Sequence, residues 1–331
     1  MWKKLLLPAG LGILLLALIL CLSFCSGEEK APEKPVVGIC MHDLASEQEA
    51  LCARELQAKL EEKGFDVQIR DAGNDQSVQN KQVQQLLGRN CKGIVLCPVM
   101  PDGVTEVVKS AKSKDVPIVF FHAEPSKQIM DLWEKTGYVG CDPSQSGREQ
   151  GQLLLRLPNN GDINGDGVVA YILLQDDDQC ADTRKRSEAL RQEIAAGAET
   201  EELNCTVAGT TQTAAEESFE KLLANYGKDV EVVICTNDTV ALGTQKAIED
   251  GGRTVGVDIY LIGAEGADEA IGKIVNGELS GTVYCDIRTQ AKEIFTMLEK
   301  LNHPETAEKR ILVDHVIVVK ENAEVYLKDD K

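Results

Sequence analysis

One loop of the chain carries oxygen-bearing side chains at alternate positions. Segment 162–168 reads Asp-Ile-Asn-Gly-Asp-Gly-Val, which places Asp162, Asn164 and Asp166 two residues apart. This spacing lets a tight loop point its ligands inward at a hard cation such as Ca²⁺. An EF-hand would supply a bidentate glutamate at the twelfth position, but that residue is Leu173. The loop therefore predicts either a calcium site completed by a carboxylate from elsewhere in the chain, or a solvated turn.

A second pair of side chains could bind a hydroxyl-rich solute. Asp182 and Arg186 are four residues apart in a segment with helical periodicity, so both would lie on one face of the helix. Arginine presents a planar fork of donors and aspartate only accepts, which suits neighbouring hydroxyl groups. The alternative is a surface ion pair that contributes little stability.

The sequence lacks the motifs of common enzyme classes. No G-x-S-x-G, P-loop or G-x-G-x-x-G sequence follows a predicted strand. We interpret the three aspartates at 176–178 as a solvated loop. The formal net charge is −19, which argues against a nucleic-acid partner because phosphate binding needs a basic surface. We expect a binding protein and no enzymatic activity.

Apolar runs of strand length alternate with amphipathic segments after residue 35. Strands are predicted at 36–41, 66–71, 93–97, 118–121, 168–174, 230–235, 259–263 and 280–284, and helices at 46–63, 78–89, 102–113, 143–157, 180–196, 238–251, 267–276 and 286–300. This alternation predicts parallel sheets covered on both faces, and the count is too high for one sheet of the usual size. With 331 residues, the chain is long enough for two cores. The predicted fold is α/β, with two doubly wound parallel-sheet lobes.

Polar residues follow most of these predicted strands. The segments are His42-Asp43, His122-Ala123-Glu124, Asp176-Asp177-Asp178, Thr236-Asn237-Asp238 and Ala264-Glu265. Ligands of doubly wound sheets bind beyond the carboxyl ends of the strands. A cleft lined by these segments would be rich in hydrogen-bonding groups, which suits a small polar solute such as a sugar.

The first 25 residues predict export. Lys3 and Lys4 precede an almost purely apolar run over 5–25, which places the rest of the chain outside the membrane. The run is a cleaved signal peptide, an uncleaved anchor of about 20 residues, or a lipoprotein signal in which Cys25 carries the lipid. Segment 26–35 then serves as a tether. We expect a protein at the outer face of the cell membrane, lipid-anchored at Cys25, or a periplasmic protein.

The chain contains 11 cysteines, a number that would suggest disulfides in an exported protein. Their placement does not support that interpretation, because Cys40, Cys97 and Cys235 lie in apolar strand-like runs. A buried free cysteine behaves as a small apolar residue. We interpret most of them as reduced core thiols, with a Cys91–Cys97 cross-link as the alternative.

Several stretches match one known family in order and spacing. They are Asn-Asp-Gln-Ser at 74–77, Val-Pro-Ile-Val-Phe-Phe at 116–121, Tyr-Val-Gly at 138–140 and Gly-Thr-Val at 281–283. Together they resemble the type I periplasmic binding proteins, and within them the galactose/glucose-binding receptors of ABC importers. The resemblance covers nearly everything from Val36 to the C-terminus.

The resemblance implies a domain organisation and a mode of action. After the signal at 1–25 and the tether at 26–35, the N-terminal lobe comprises 36–140 and 287–312, and the C-terminal lobe comprises 141–286 and 313–331. A three-segment hinge joins them. The lobes would close on a solute, and the closed form would dock on the membrane permease of an ABC importer; a chemoreceptor or sensor histidine kinase is the alternative partner. We expect a monomer.

The resemblance also completes the calcium site. The family takes its last carboxylate from a glutamate that opens a later strand, and Glu231 stands at the matching place. The implied ligands are the side chains of Asp162, Asn164, Asp166 and Glu231 together with the Val168 carbonyl. The family has a further side-chain oxygen where this chain has Ala170, so we expect a water ligand or a weaker site there.

In the cleft the match is partial. Asp182, Arg186 and Asn237 stand where the family has an Asp, an Arg and an Asn that bind sugar hydroxyls, and a helix cap is the alternative role for Asn237. The family's two aromatic platforms are replaced by Gln48 and Thr211. Further differences place Ser46, His122, Cys180, Glu265 and Cys285 at positions where the family has Asp, Asn, His, Asp and Asn. The loss of both aromatic platforms leaves the identity of the solute open, with Trp133 and Tyr284 as the nearest substitutes.

Overall fold

A computed structural model describes residues 34–44, 47–89, 91–303 and 308–327. The strands are β1 (Val36–Met41), β2 (Asp66–Asp71), β3 (Cys91–Leu96), β4 (Ile118–Phe121), β5 (Thr136–Gly140), β6 (Val169–Gln175), β7 (Thr200–Val207), β8 (Val232–Cys235), β9 (Tyr260–Ile262), β10 (Thr282–Cys285), β11 (Arg310–Leu312) and β12 (His315–Val318). The α-helices are α1 (Glu47–Glu62), α2 (Gln76–Leu87), α3 (Thr105–Ser113), α4 (Lys127–Met130), α5 (Pro143–Leu155), α6 (Ala181–Gly197), α7 (Gln212–Tyr226), α8 (Asp238–Asp250), α9 (Asp268–Asn276) and α10 (Ile287–Lys300). Within these residues, none of the helices combines the length and apolar character that a membrane-spanning helix needs.

The first lobe is built on a parallel sheet with strand order β11-β5-β4-β3-β1-β2. Every pairing in it is parallel, for example Val37 with Val67 and Ile94 with Ile118. Its central strands are continuous apolar runs because both faces are covered. Side chains of α1 and α10 fill one face, and those of α2 and α3 fill the other.

The second lobe repeats this layout on a smaller scale. Its parallel sheet has the order β7-β6-β8-β9, with α7, α8 and α9 packed on one face and α5 and α6 on the other. The doubly wound α/β fold expected from the sequence is confirmed. The structure adds one antiparallel element, the pair β10 and β12, which places Cys285 opposite His315.

The chain passes between the two lobes at three places. It leaves the first sheet after β5 and enters α5, whose start is fixed by the Asp142 carboxylate that accepts from Ser144 N at 2.9 Å and by Pro143 in the first turn. It returns between β10 and α10, and it crosses again between β11 and β12. Val313, assigned to the second lobe from sequence, packs in the core of the first and donates to Gly140 O at 2.8 Å.

The helices α5 and α6 approach each other closely at Gly147. A Cβ atom at this position would stand 2.0 Å from the carbonyl oxygen of Arg186 and 3.0 Å from Leu190 N. Only a residue without a side chain allows this contact. The close contact fixes the backbone of α6 beside the inter-lobe region and therefore positions the side chains of Asp182 and Arg186.

Replacing Gly147 by alanine tests this packing. We expect Gly147→Ala to lower the free energy of unfolding by about 1–3 kcal/mol, because the helices must separate to admit the methyl group. Gly272→Ala is the matched control, since a Cβ in that helical position meets nothing within 4 Å. It should raise stability by about 0.5–1 kcal/mol through the better helix propensity of alanine. Denaturant unfolding measures both, and equal stabilities would contradict the close approach.

Candidate functional site

A cavity lies between the lobes at the carboxyl ends of the strands. Its free volume, open solvent included, is about 680 Å³. The first lobe lines it with Glu49, Cys52, Phe121, His122, Ile287 and Gln290, and the second lobe and the crossings with Asp182, Arg186, Glu265, Cys141, Cys285 and His315. Its lining combines charged and imidazole groups with apolar side chains, and Phe121 forms an aromatic wall. Trp133, one of the two expected substitutes for the aromatic platforms, is buried in the core of the first lobe.

The first lobe contributes a buried carboxylate with two imidazoles. His42 Nδ1 lies 2.7 Å from Glu49 Oε2 and 3.2 Å from Cys97 Sγ. His122 stacks on His42 with ring centroids 5.9 Å apart, and its Nε2 is 3.9 Å from Glu49 Oε1. Burial of His42 disfavours its protonation, but the hydrogen bond and charge of Glu49 outweigh burial and raise the pKa of the imidazole.

Sequence reasoning missed Glu49. It stands on the stripe of α1 that also carries Cys52, Ala53, Leu56 and Leu60, all of them buried. The sequence does contain a signal for it, since Glu49 lies on an apolar stripe with spacings of three and four residues. A carboxylate on such a buried face requires a partner, which marks it as a candidate site residue.

The second lobe places Asp182 and Arg186 on the cavity side of α6. The Arg186 guanidinium donates through Nη1 to the carbonyl of Thr236. Its buried Nε has no hydrogen-bond partner among the described residues. Asp182 contacts Lys185 at 3.4 Å. Arg186 therefore has N–H groups left to donate at the cavity, and the acceptor oxygens of a ligand would satisfy them.

Two cavity residues have unusual backbone conformations. His122 has φ of 64° and Glu265 has φ of 100°. Residues other than glycine rarely adopt positive φ, and such strain concentrates at functional sites. The Glu265 backbone is held by hydrogen bonds with Val283 and Cys285, and the His122 carbonyl accepts from Tyr138 Oη at 3.0 Å. The fold thus maintains both residues where their strands end.

The Glu265 carboxyl has a perturbed acidity. Burial raises its pKa from the ordinary 4.5 to about 8, with Asp238 and Asp176 adding to the rise and Arg186 opposing it. The group is therefore largely protonated near neutral pH and acts as both donor and acceptor. This bifunctional behaviour suits a hydroxyl group.

Two further predicted ligand-binding residues are not among those that line the cavity. The Asn237 Oδ1 atom caps α8 by accepting from Val240 N at 2.9 Å. The exposed Thr211 caps α7 by accepting from Ala214 N at 3.2 Å. Ser46 lies outside the described residues, and only the backbone of Gln48 is described. Cys180 is exposed at the start of α6.

The predicted calcium ligands come together around one loop. The Glu231 side chain is 2% exposed, and it lies next to the loop. Its Oε1 accepts from Ile163 N at 2.8 Å and Asn164 N at 2.9 Å, and its Oε2 accepts from Ala170 N at 2.9 Å. Asp162, Asn164 and Asp166 accept from loop amides. The carboxylate and amide oxygens are ligands of the kind that a hard cation prefers. At the loop carboxylates, a bound ion would take the place of backbone N–H groups that now donate to them.

The cysteines of the described residues are all free, including Cys91 and Cys97. Cys25 and the apolar run before it lie outside the described residues.

The raised pKa of Glu265 makes stability depend on pH. Between pH 4.5 and about 8 the folded state binds the Glu265 proton more tightly than the unfolded state does, so the free energy of unfolding falls as pH rises. Glu265→Gln removes this titration. As the pH rises from 4.5 to about 8, the melting temperature of the variant should increase relative to that of the wild type. Glu188→Gln, an exposed charge on α6, is the control, and parallel curves for wild type and Glu265→Gln would contradict the assignment.

Comparison with known proteins agrees with the architecture. The family model for the periplasmic binding protein domain matches residues 37–303. The D-galactose/methyl-galactoside binding periplasmic protein MglB of Haemophilus influenzae is 29% identical over 279 residues, which cover 80% of this chain and 83% of that protein. A putative rhizopine-binding protein of Rhizobium meliloti is 28% identical over 264 residues, covering 78% and 81%.

A solved structure shows the same fold. The periplasmic binding protein of the arabinose ABC transporter from Shewanella sp. ANA-3, bound to L-arabinofuranose, superposes with a TM-score of 0.77 at 22% identity, covering 88% of this chain and 94% of that one. Proteins of this family are exported solute-binding proteins without enzymatic activity. The match of the family model over most of the chain, together with the two-lobed fold, shows that this chain belongs to the periplasmic binding protein family.

Proposed function

We propose that the chain is the extracytoplasmic receptor of an ABC importer and that it binds a monosaccharide or related polyol in the inter-lobe cavity. The observation that carries the proposal is the cavity chemistry. Arg186 and Asp182 share one face of α6, and Glu265, whose pKa burial raises to about 8, lines the same cavity. Together they offer a fork of donors, an acceptor and a group that does both, which matches neighbouring hydroxyls.

The relatives support this class of ligand. The H. influenzae relative is named for D-galactose and methyl-galactoside, and the Shewanella structure holds L-arabinofuranose. The cavity of this chain has Phe121 as its aromatic wall, with acidic and imidazole groups from Glu49 and His122 beside it. We therefore propose a polyol held mainly by hydrogen bonds, either galactose, glucose or a more polar relative.

Closure of the lobes would distinguish the solute-bound protein from the free protein. Ligand contacts with both lobes stabilise the closed arrangement over the open one, and the permease would recognise the closed form. The alternative partner, a chemoreceptor or sensor kinase, has no specific support in the described residues. We propose a monomer, in keeping with the strong net negative charge.

We propose lipid attachment at Cys25 on sequence grounds. The apolar run ends at this cysteine and the polar tether follows it. Mass spectrometry of the membrane-extracted protein tests the attachment. A diacylated N-terminal Cys25 is expected, and an N-terminus cleaved elsewhere or an intact leader would contradict it.

Arg186 should control solute affinity. In a thermal-shift screen of monosaccharides and sugar alcohols we expect at least one to raise the melting temperature, and calorimetry to give its affinity. Arg186→Gln should weaken that affinity at least about tenfold, because a hydrogen bond to a charged group is worth about 1.5–3 kcal/mol. Arg156→Gln, an exposed arginine at the end of α5, should leave it unchanged. An equal loss of solute affinity in the two variants would contradict the assignment of Arg186 to the binding site.

We also propose that the loop at 162–168 binds Ca²⁺ with Glu231. The buried carboxylate beside the loop supports this assignment. The ion would offset two of the three negative charges of Asp162, Asp166 and Glu231 and tie the loop to the start of β8.

Calcium should stabilise the folded protein by mass action. An excess of about 100 times the dissociation constant raises the free energy of unfolding by about 2.7 kcal/mol. Glu231→Gln should abolish the rise in melting temperature, and Asp162→Asn, at a more exposed position, should reduce it. Glu220→Gln, an exposed acid of the same lobe, should behave as wild type. A calcium response unchanged in Asp162→Asn, or no response in the wild type, would rule the site out.

A further inference from the structure

Three side chains with metal-binding chemistry meet where the chain passes between the lobes. Cys141 follows β5, Cys285 ends β10 and His315 begins β12, so each of the three crossings supplies one of them. The two sulfurs and a ring nitrogen of His315 all lie within 4.8 Å of one another. The Sγ atoms of Cys141 and Cys285 are 2.8 Å apart. Residues distant in sequence thus form one compact cluster.

The cluster has the composition of a transition-metal site. Thiolate and imidazole ligands favour Zn²⁺ and other borderline or soft ions over Ca²⁺ and Mg²⁺. All three residues line the inter-lobe cavity. Three protein ligands with an open fourth position are typical of zinc sites that bind a further ligand.

A cysteine binds a metal ion as its thiolate, so Zn²⁺ would displace the protons of both thiols.

Neighbouring amides hold two of the side chains in place. Gln290 Nε2 donates to Cys285 Sγ at 2.9 Å. Gln145 Oε1 lies 3.5 Å from His315 Nδ1 and accepts from the His315 backbone N at 3.3 Å. Carbonyl partners of this kind orient metal-binding histidines, and they leave the other ring nitrogen as the ligand.

A second cluster, His42 with Glu49 and Cys97, is a weaker candidate. Cys97 is fully buried, and burial raises the pKa of its thiol well above the usual range. The Glu49 carboxylate already pairs with His42 at 2.7 Å. That cluster is therefore a buried ion pair.

We propose that Cys141, Cys285 and His315 of the reduced protein bind one Zn²⁺ ion, with the fourth coordination position open to the cavity. With Zn–S bonds of about 2.3 Å at a tetrahedral angle, the two sulfurs would separate to about 3.8 Å. Because each ligand comes from a different crossing, the ion cross-links all three. The zinc concentration outside the cell would therefore control how freely the two lobes rotate relative to each other. The assignment does not depend on the identity of the solute.

Cobalt is the spectroscopic probe for this site. The full chain, kept reduced and calcium-free, is titrated with Co²⁺ and then with Zn²⁺. We expect a sulfur-to-cobalt charge-transfer band in the near ultraviolet that saturates at one ion per chain and is lost on addition of Zn²⁺. Cys285→Ser and His315→Ala should each weaken binding by more than about tenfold, since even loss of an outer-shell partner costs about 10–100-fold.

Matched variants distinguish this cluster from the other thiols of the chain. Cys180→Ser, at an exposed thiol outside the cluster, should bind Co²⁺ like the wild type, and Gln290→Ala should show a partial loss. Unchanged circular dichroism of Cys285→Ser confirms that the variant folds. The proposal is overturned by the absence of the band, by a band that persists in Cys285→Ser but is lost in Cys97→Ser, or by a Cys141–Cys285 disulfide that survives reduction. A failed solute screen with intact Co²⁺ binding would count against the proposed solute alone.

Discussion

The site depends on the direction of the parallel strands. In each of the two parallel sheets all strands end on the same edge, and the three crossings keep the carboxyl edges of the two lobes adjacent. Side chains that follow the strands consequently face one cavity although they are far apart in the sequence. His122 and Glu265 illustrate the constraint, since both leave their strands with positive φ and line the same space.

Packing of α6 against α5 is the second requirement. Asp182 and Arg186 reach the cavity because the backbone at Arg186 lies against Gly147, and because the Arg186 guanidinium is anchored on the Thr236 carbonyl. The anchor uses part of the donor fork and leaves the rest for a ligand. A rigid helix pair carries these groups in one lobe, while Glu49 and His122 approach from the other. A solute that contacts both sets would stabilise closure by its differential affinity for the closed state.

Much of the fold could be predicted from the sequence because apolar runs and amphipathic segments differ in period. The predicted bounds of β1, β2 and β4 agree with the structure. The region of β7 and α7 received no assignment, because β7 is an edge strand with many exposed positions and lacks a continuous apolar run. The antiparallel pair β10 and β12 was also missed, since its pairing is set by the crossings between the lobes and not by a local turn.

The site was predicted unevenly for physical reasons. Asp182, Arg186, His122 and Glu265 line the cavity, as helix spacing and strand ends predict, whereas the side-chain oxygens of Asn237 and Thr211 accept from backbone N–H groups at helix starts. Glu49 and the cluster of Cys141, Cys285 and His315 are created by tertiary contacts between distant segments. No local pattern brings such residues together, so the assembled lobes were needed to find them.

A crystal structure of the protein with the solute that stabilises it most would test the inter-lobe site most directly. We predict the solute in the inter-lobe cavity, with hydrogen bonds to Arg186 and Asp182 from one lobe and to Glu49 or His122 from the other. A solute bound outside this cavity, or held by residues of one lobe alone, would contradict that prediction.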